Sequence, residues 1–169
     1  MPPHGRAPCA SNHGLGCSKL ITTSQPLDAK QFALLAPAIR TELVKHVRAG
    51  VLTVGDSLQQ VFIDILGADR TPRDRTLFLM FAAPLARRIA IELANDDDRI
   101  GSTNISISDL KIWLRWLDTM DPLCARMIDL HYFAGLSFKE TAAALDLPPQ
   151  AVIRDLRFAK AWLMVRLDP

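Results

Sequence analysis

The apolar positions of this chain recur at intervals of three and four residues, and no stretch alternates with period two, so the pattern predicts helices packed on one another. Phe32, Leu35, Ile39, Leu43 and Val47 mark the inner face of a first helix. Asp28 is placed to cap it, Gln31 stands at the reciprocal capping-box position, and Gly50 ends it. Pro37 within this run predicts a kink or a later start. A second helix is expected from about Asp56, on Leu58, Val61, Phe62, Ile65 and Leu66, with Gly67 as its stop. After a polar loop over 68–75, a third run from about Thr76 to Ala94 is apolar nearly all round until Arg87 and Arg88, the pattern of a bundle's buried centre. Pro84 predicts a kink in it.

The pattern then breaks. Asn95-Asp96-Asp97-Asp98-Arg99 is a solvated charge run and Gly-Ser-Thr-Asn follows, which places a linker over 96–107. Four further helices are expected beyond it. The first runs from about Ser108 to Thr119, with Leu110, Trp113, Leu114 and Leu117 inward. The second opens at Asp121-Pro122 and ends near Phe133, capped by Gly135. The third spans Ser137 to Leu145, with Ser137 and Glu140 as a capping box. The last runs from Pro148 or Pro149 to about Leu167. The predicted fold class is all-α: two small helical domains, 27–95 and 108–169, behind a Gly-, Pro-, Ser- and Thr-rich tail over 1–26.

Composition narrows the function classes. A formal net charge of +2 is weak for a nucleic-acid binder, so any DNA contact must come from local stripes of charge. Three cysteines, Cys9, Cys17 and Cys124, do not make a disulfide framework. His4, Cys9, His13 and Cys17 fit no common zinc spacing and lie in the Gly/Pro-rich tail. There is no apolar signal segment and no run of apolar residues long enough to span a bilayer, so a cytoplasmic protein is expected. No phosphate-binding glycine loop, HExxH or nucleophile elbow occurs, His46 and His131 have no evident partners, and neither an enzyme nor a cofactor is expected. His131, before Tyr132-Phe133, reads as a packed residue, and Trp113, Trp116 and Trp162 read as core at helical spacing.

Residues 135–163 carry the grammar of a helix-turn-helix. A short helix has small residues, Ala142 to Ala144, where a second helix must cross closely; Asp146-Leu147 makes a tight turn; and the second helix opens at Pro148-Pro149. On that helix Arg154, Arg157 and Lys160, three apart, form one stripe suited to phosphate, opposite an inward stripe of Val152, Leu156, Ala159 and Leu163.

With those residues in view, 113–166 resembles region 4 of extracytoplasmic-function (ECF) sigma factors. The resemblance runs through Leu117-Asp-Thr-Met-Asp-Pro-Leu-Cys-Ala-Arg-Met-Ile-Asp-Leu-His-Tyr-Phe-Ala-Gly-Leu-Ser-Phe-Lys-Glu-Thr-Ala and Arg154-Asp-Leu-Arg-Phe-Ala-Lys-Ala-Trp-Leu. Upstream, Asp56-Ser-Leu-Gln-Gln-Val-Phe-Ile-Asp-Ile-Leu is similar to region 2.2, and 78–95, with Ala-Arg-Arg-Ile at 86–89, to regions 2.3 and 2.4. The resemblance implies an initiation factor whose partners are core RNA polymerase and promoter DNA. Asp56, Gln59, Gln60 and Asp64 would face the polymerase. Arg87 and Arg88 would lie near the −10 strand. Arg154, Arg157 and Lys160, with Gln150 at the start of the last helix, would hold the −35 duplex. No membrane and no small-molecule substrate is implied.

The chain departs from the family pattern in four places. The acidic run before region 2.2 is reduced to Thr53-Val54-Gly55-Asp56, Pro84 sits mid-helix, Asn95-Asp96-Asp97-Asp98 replaces a basic cluster, and the recognition helix opens Pro-Gln-Ala-Val-Ile. Related groups lacking the acidic run look kinase-controlled, so Thr53 is a candidate phosphorylation site; control by a Ser/Thr kinase or by an anti-sigma factor both remain open. The departures also leave open a sigma-like protein that acts only through protein–protein contacts.

Overall fold

In the computed structural model, residues 27–50, 53–94 and 106–167 are described, and among them lie seven α-helices, one π-helical segment and no strand. The all-α expectation is met. The tail over 1–26 and most of the linker, with Asp96 to Asp98, lie outside the described residues.

Helix α1 (Ala29–Ala49) starts where the capping box places it: the Asp28 carboxylate accepts from Gln31 N at 2.8 Å, and Gln31 Oε1 accepts from Asp28 N at 3.2 Å. Gly50 ends it in the left-handed conformation. Pro37 does not delay the start; the helix runs through it. Helix α2 (Val54–Leu66) begins two residues earlier than expected, because Thr53 is its N-cap and accepts from Asp56 N. Helix α3 (Pro72–Ala94) absorbs the second half of the predicted loop. Thr71 accepts from Asp74 N, and Pro72 tolerates the first turn because it has no N–H to leave unpaired.

Helix α4 (Ile107–Met120) is capped by Ser106. Helix α5 (Pro122–Ile128) continues into the π-helical segment Asp129–Phe133. Helices α6 (Phe138–Leu145) and α7 (Pro149–Leu167) follow, with Ser137 and Glu140 forming the predicted capping box. Asp146 takes a left-handed conformation (φ 55°) in the turn between them.

Two apolar cores result, and they share elements. The first gathers Leu35, Ile39 and Leu43 of α1, Leu58, Val61 and Phe62 of α2, and Phe78, Leu79, Ala82 and Ala86 of α3. Leu130, Ala134 and Leu136, from beyond the linker, are buried in the same cluster. In return Ile91 of α3 belongs to the second core, with Leu114, Leu117, Met127, Val152 and Leu156. Helix α3 is thus the shared wall, as its nearly uniform apolar surface predicts. Each fully buried aliphatic side chain contributes about 1.5–3 kcal/mol relative to exposure, so Leu130 and Leu136 tie the C-terminal half to the first core.

A close backbone approach lies at this junction. A Cβ placed on Gly55 of α2 would stand 3.1 Å from both Cα and N of Gly135, whose φ of 74° turns the chain after the π-helical segment. Backbone cannot yield as a flexible side chain does. Gly55→Ala is therefore expected to wedge the two halves apart at a cost of roughly 1–3 kcal/mol. Small-angle scattering should show a larger radius of gyration, with helical circular dichroism unchanged.

Candidate nucleic-acid interface

The helix-turn-helix forms as its sequence dictates. Of the small residues Ala142 to Ala144, only Ala142 is buried in the second core, beside buried Thr141; Ala143 is exposed and Ala144 packs against the first core. Leu147 N returns to Ala142 O at 2.9 Å to close the turn. Val152, Leu156 and Ala159 of α7 are buried, with Leu163 packed beside them. The opposite face carries Arg154, Arg157 and Lys160, all exposed, and Gln150 is exposed in the first turn. Arg154 Nε donates to Asp155 Oδ1 at 2.7 Å, an exposed pair that water screens and nucleic-acid phosphate can displace. The expected duplex-facing residues are therefore brought together on one accessible face.

The residues expected to meet polymerase and the −10 strand are arranged differently. Asp56 is exposed and bonded to the Thr53 hydroxyl at 2.7 Å. Gln60 donates to Asp64 Oδ1 at 2.8 Å, and Asp64 Oδ2 lies 3.1 Å from His46 Nε2. His46 thus has a partner that its sequence neighbourhood did not reveal, because Asp64 comes from a different helix. Gln59 points at the C-terminal half: its Nε2 donates to Ala134 O at 3.2 Å, and its Oε1 accepts from Arg75 Nε at 2.8 Å. Arg75 also stands 3.7 Å from Glu140 of α6.

Arg88 is exposed, whereas Arg87 is buried, with only 9% of its side chain accessible. Its Nη2 donates to both Asp118 carboxylate oxygens at 2.8 Å, and its Nε lies 3.2 Å from Asp129 Oδ1. The second pair has ion-pair distance without hydrogen-bond alignment. Asp129 Oδ1 and Arg87 Nη1 are buried with no hydrogen-bond partner among the described residues. A buried charge cluster left partly unsatisfied is a weak fastener, because desolvation offsets much of its attraction. Sequence reasoning had no signal for this cluster, since Asp118 and Asp129 stand 31 and 42 positions from Arg87.

The aromatic stripe expected to be core is a surface cluster instead. Trp116 stacks on Trp162 at 4.9 Å while remaining 43% exposed, Trp113 packs edge-on against both, and the Arg166 guanidinium lies 5.1 Å from the Trp113 ring centre. The spacing puts all three on the α4–α7 contact, but near its rim. His131 is packed as expected: Nδ1 lies 2.7 Å from Leu136 O, and its ring stacks on Phe138 at 4.4 Å. Cys124 is buried, and burial pushes its thiol up to about 11.

Among the described residues, then, the chain is a two-core helical protein bearing a helix-turn-helix with a basic outer face, and no helix is long and apolar enough to cross a membrane. A family model described as ECF sigma factor matches residues 85–169, half of the chain, and the chain belongs to that family of non-enzymatic, DNA-binding transcription-initiation factors. No curated protein and no solved structure matched it.

The buried carboxylate makes a pH-dependent prediction. Burial, reinforced by Asp118 and opposed by Arg87 and Arg126, pushes Asp129 from an ordinary 3.8 up to about 6. Between those values the folded protein holds a proton that the unfolded chain has released. Asp129's contribution is therefore most favourable below the lower value and is lost as pH rises through about 6. Asp129→Asn, which stays neutral, removes this dependence. Unfolding midpoints measured on both proteins should show wild type losing ground to the variant across that window; parallel curves would refute the assignment.

Proposed function

We propose that this protein directs promoter-specific initiation as an ECF sigma factor, with residues 27–95 as its region 2, 96–107 as the linker and 108–169 as its region 4. The observation that carries the reading is the α7 stripe of Arg154, Arg157 and Lys160, exposed opposite a buried apolar stripe. Gln150 lies at the end of the same helix that would enter the −35 major groove. Asp56, Gln60 and Asp64, one turn apart along α2, are proposed contacts to core polymerase, together with Gln59. Arg87 and Arg88 are the proposed −10 contacts.

On this reading the docked arrangement is a resting one. Gln59 and Arg87, both assigned to binding surfaces, are engaged inside the protein. Polymerase must exchange these contacts for its own, so the halves separate on binding. The experiment is binding of the full chain to core RNA polymerase, followed by transcription from promoters that the complex selects. Saturable binding with promoter-dependent transcripts is expected. Binding without such transcripts would favour the second reading, a sigma-like protein acting by protein contacts alone. Two features speak for that reading: the same internal engagement of Gln59 and Arg87, and Ala151 and Ile153, which offer no hydrogen bond to bases. On promoter DNA, Arg157→Ala and Lys160→Ala should each lower the slope of log affinity against log salt by about 0.9 if each holds one phosphate.

Thr53 is the proposed regulatory site, modified by a Ser/Thr kinase. It is exposed, and its hydroxyl caps α2 while donating to Asp56. A phosphate of about −1.5 to −2 charge would repel Asp56 and restore acidity where the family carries it. It would also stand two residues from Gly55, at the junction of the halves. Thr53→Glu is expected to raise affinity for core polymerase; an unchanged affinity would remove the kinase proposal and leave an anti-sigma factor as the controlling partner.

A further inference from the structure

A cleft of about 290 Å³ lies between α3 and α4, beside the Arg87 cluster. Its walls carry more positive charge than negative, and the imbalance grows once the ion pairs are assigned. Of its two acids, Asp118 is held by Arg87, and Glu92 is held at 2.7 Å by Arg40 of α1. The remaining cations, Arg88 from α3 and Lys111 and Arg115 from α4, have no hydrogen bond or ion pair with any described residue. Lys111 and Arg115 are one helical turn apart, so both overhang the same side. Between the cations the lining is apolar, from Ile91 and Leu114.

Three cations without a partner among the described residues, set around an apolar patch, are complementary to an organic anion with more than one phosphate. Arginine offers fork-shaped donors to phosphate oxygens, and lysine adds a point charge. The volume is at the small end of the range for small-molecule sites, enough for a phosphate chain and part of its carrier. We infer that the α3–α4 cleft binds a small polyphosphate-bearing molecule such as a nucleotide, through Arg88, Lys111 and Arg115. Because the walls come from both sides of the linker, an occupant would favour the docked arrangement over one that releases Arg87. The binding site itself does not depend on how the protein meets polymerase.

The test titrates the full chain calorimetrically at low salt with inorganic tripolyphosphate and with magnesium-free ATP. Saturable one-to-one binding of both is expected. Lys111→Ala and Arg115→Ala should each weaken it about tenfold, the effect of losing one charge-assisted contact. Both side chains are exposed, so the variants should keep the wild-type helical circular dichroism. Arg157→Ala, in the α7 stripe, should bind like wild type. Absence of saturable heat from either compound overturns the inference, as does undiminished binding by the Lys111→Ala/Arg115→Ala double variant or a loss confined to Arg157→Ala. A single-stranded oligonucleotide tests the other source of phosphate. If the cleft variants weaken only the oligonucleotide, the cleft serves nucleic acid and the small-molecule assignment fails.

Discussion

A guanidinium withdrawn from water needs carboxylates around it, and Arg87 finds them in Asp118 and Asp129, on the far side of the linker. Helix α3 can therefore bury this residue only while the two halves are docked. The apolar junction has the same dependence: Leu130, Ala134 and Leu136 complete a core whose other members come from the first three helices, and Ile91 completes the second. The tight approach of Gly55 to Gly135 and the polar chain Arg75–Gln59–Ala134 line the same seam. Docking is broad in contact yet includes a charge cluster with unsatisfied atoms, a combination suited to an interface that must form and part.

That seam also orders the functional surfaces. The α7 stripe stays accessible when the halves are docked, whereas Gln59, an expected polymerase contact, is half-buried and Arg87, an expected −10 contact, is buried. On the proposed reading, duplex recognition by α7 would be separable from engagement of the N-terminal helices. On that reading, a free chain in this arrangement presents only part of what an initiation complex requires, so the single acid in the first turn of α2 is not the sole brake on polymerase binding.

Much of the local structure was legible in the sequence because its causes are local. The capping boxes at Asp28–Gln31 and Ser137–Glu140, the Gly50 stop, a start within Pro148-Pro149 and the inward and outward stripes of α7 follow from local signals, capping residues and spacings of three and four. The starts of α2 and α3 were placed late because Thr53 and Thr71 cap helices within stretches that read as polar loops. The docking was not legible. It depends on Asp118 and Asp129 meeting Arg87, Asp64 meeting His46, and one glycine passing another, none of which leaves a periodic trace. The tryptophans read as core from their spacing and lie at the surface instead, because periodicity reports which face a side chain shares and not how deeply it lies.

That cluster fixes what light can report about this molecule. Trp113, Trp116 and Trp162 are all the tryptophans in the chain, and they sit in one group between α4 and α7. Intrinsic emission therefore comes from a single locality, in which energy passes readily among stacked indoles and a neighbouring guanidinium. The first three helices are optically silent at those wavelengths. Separation of the halves would leave the emission nearly unchanged, and a fluorescence melting curve would trace the C-terminal half alone, whatever the N-terminal half is doing.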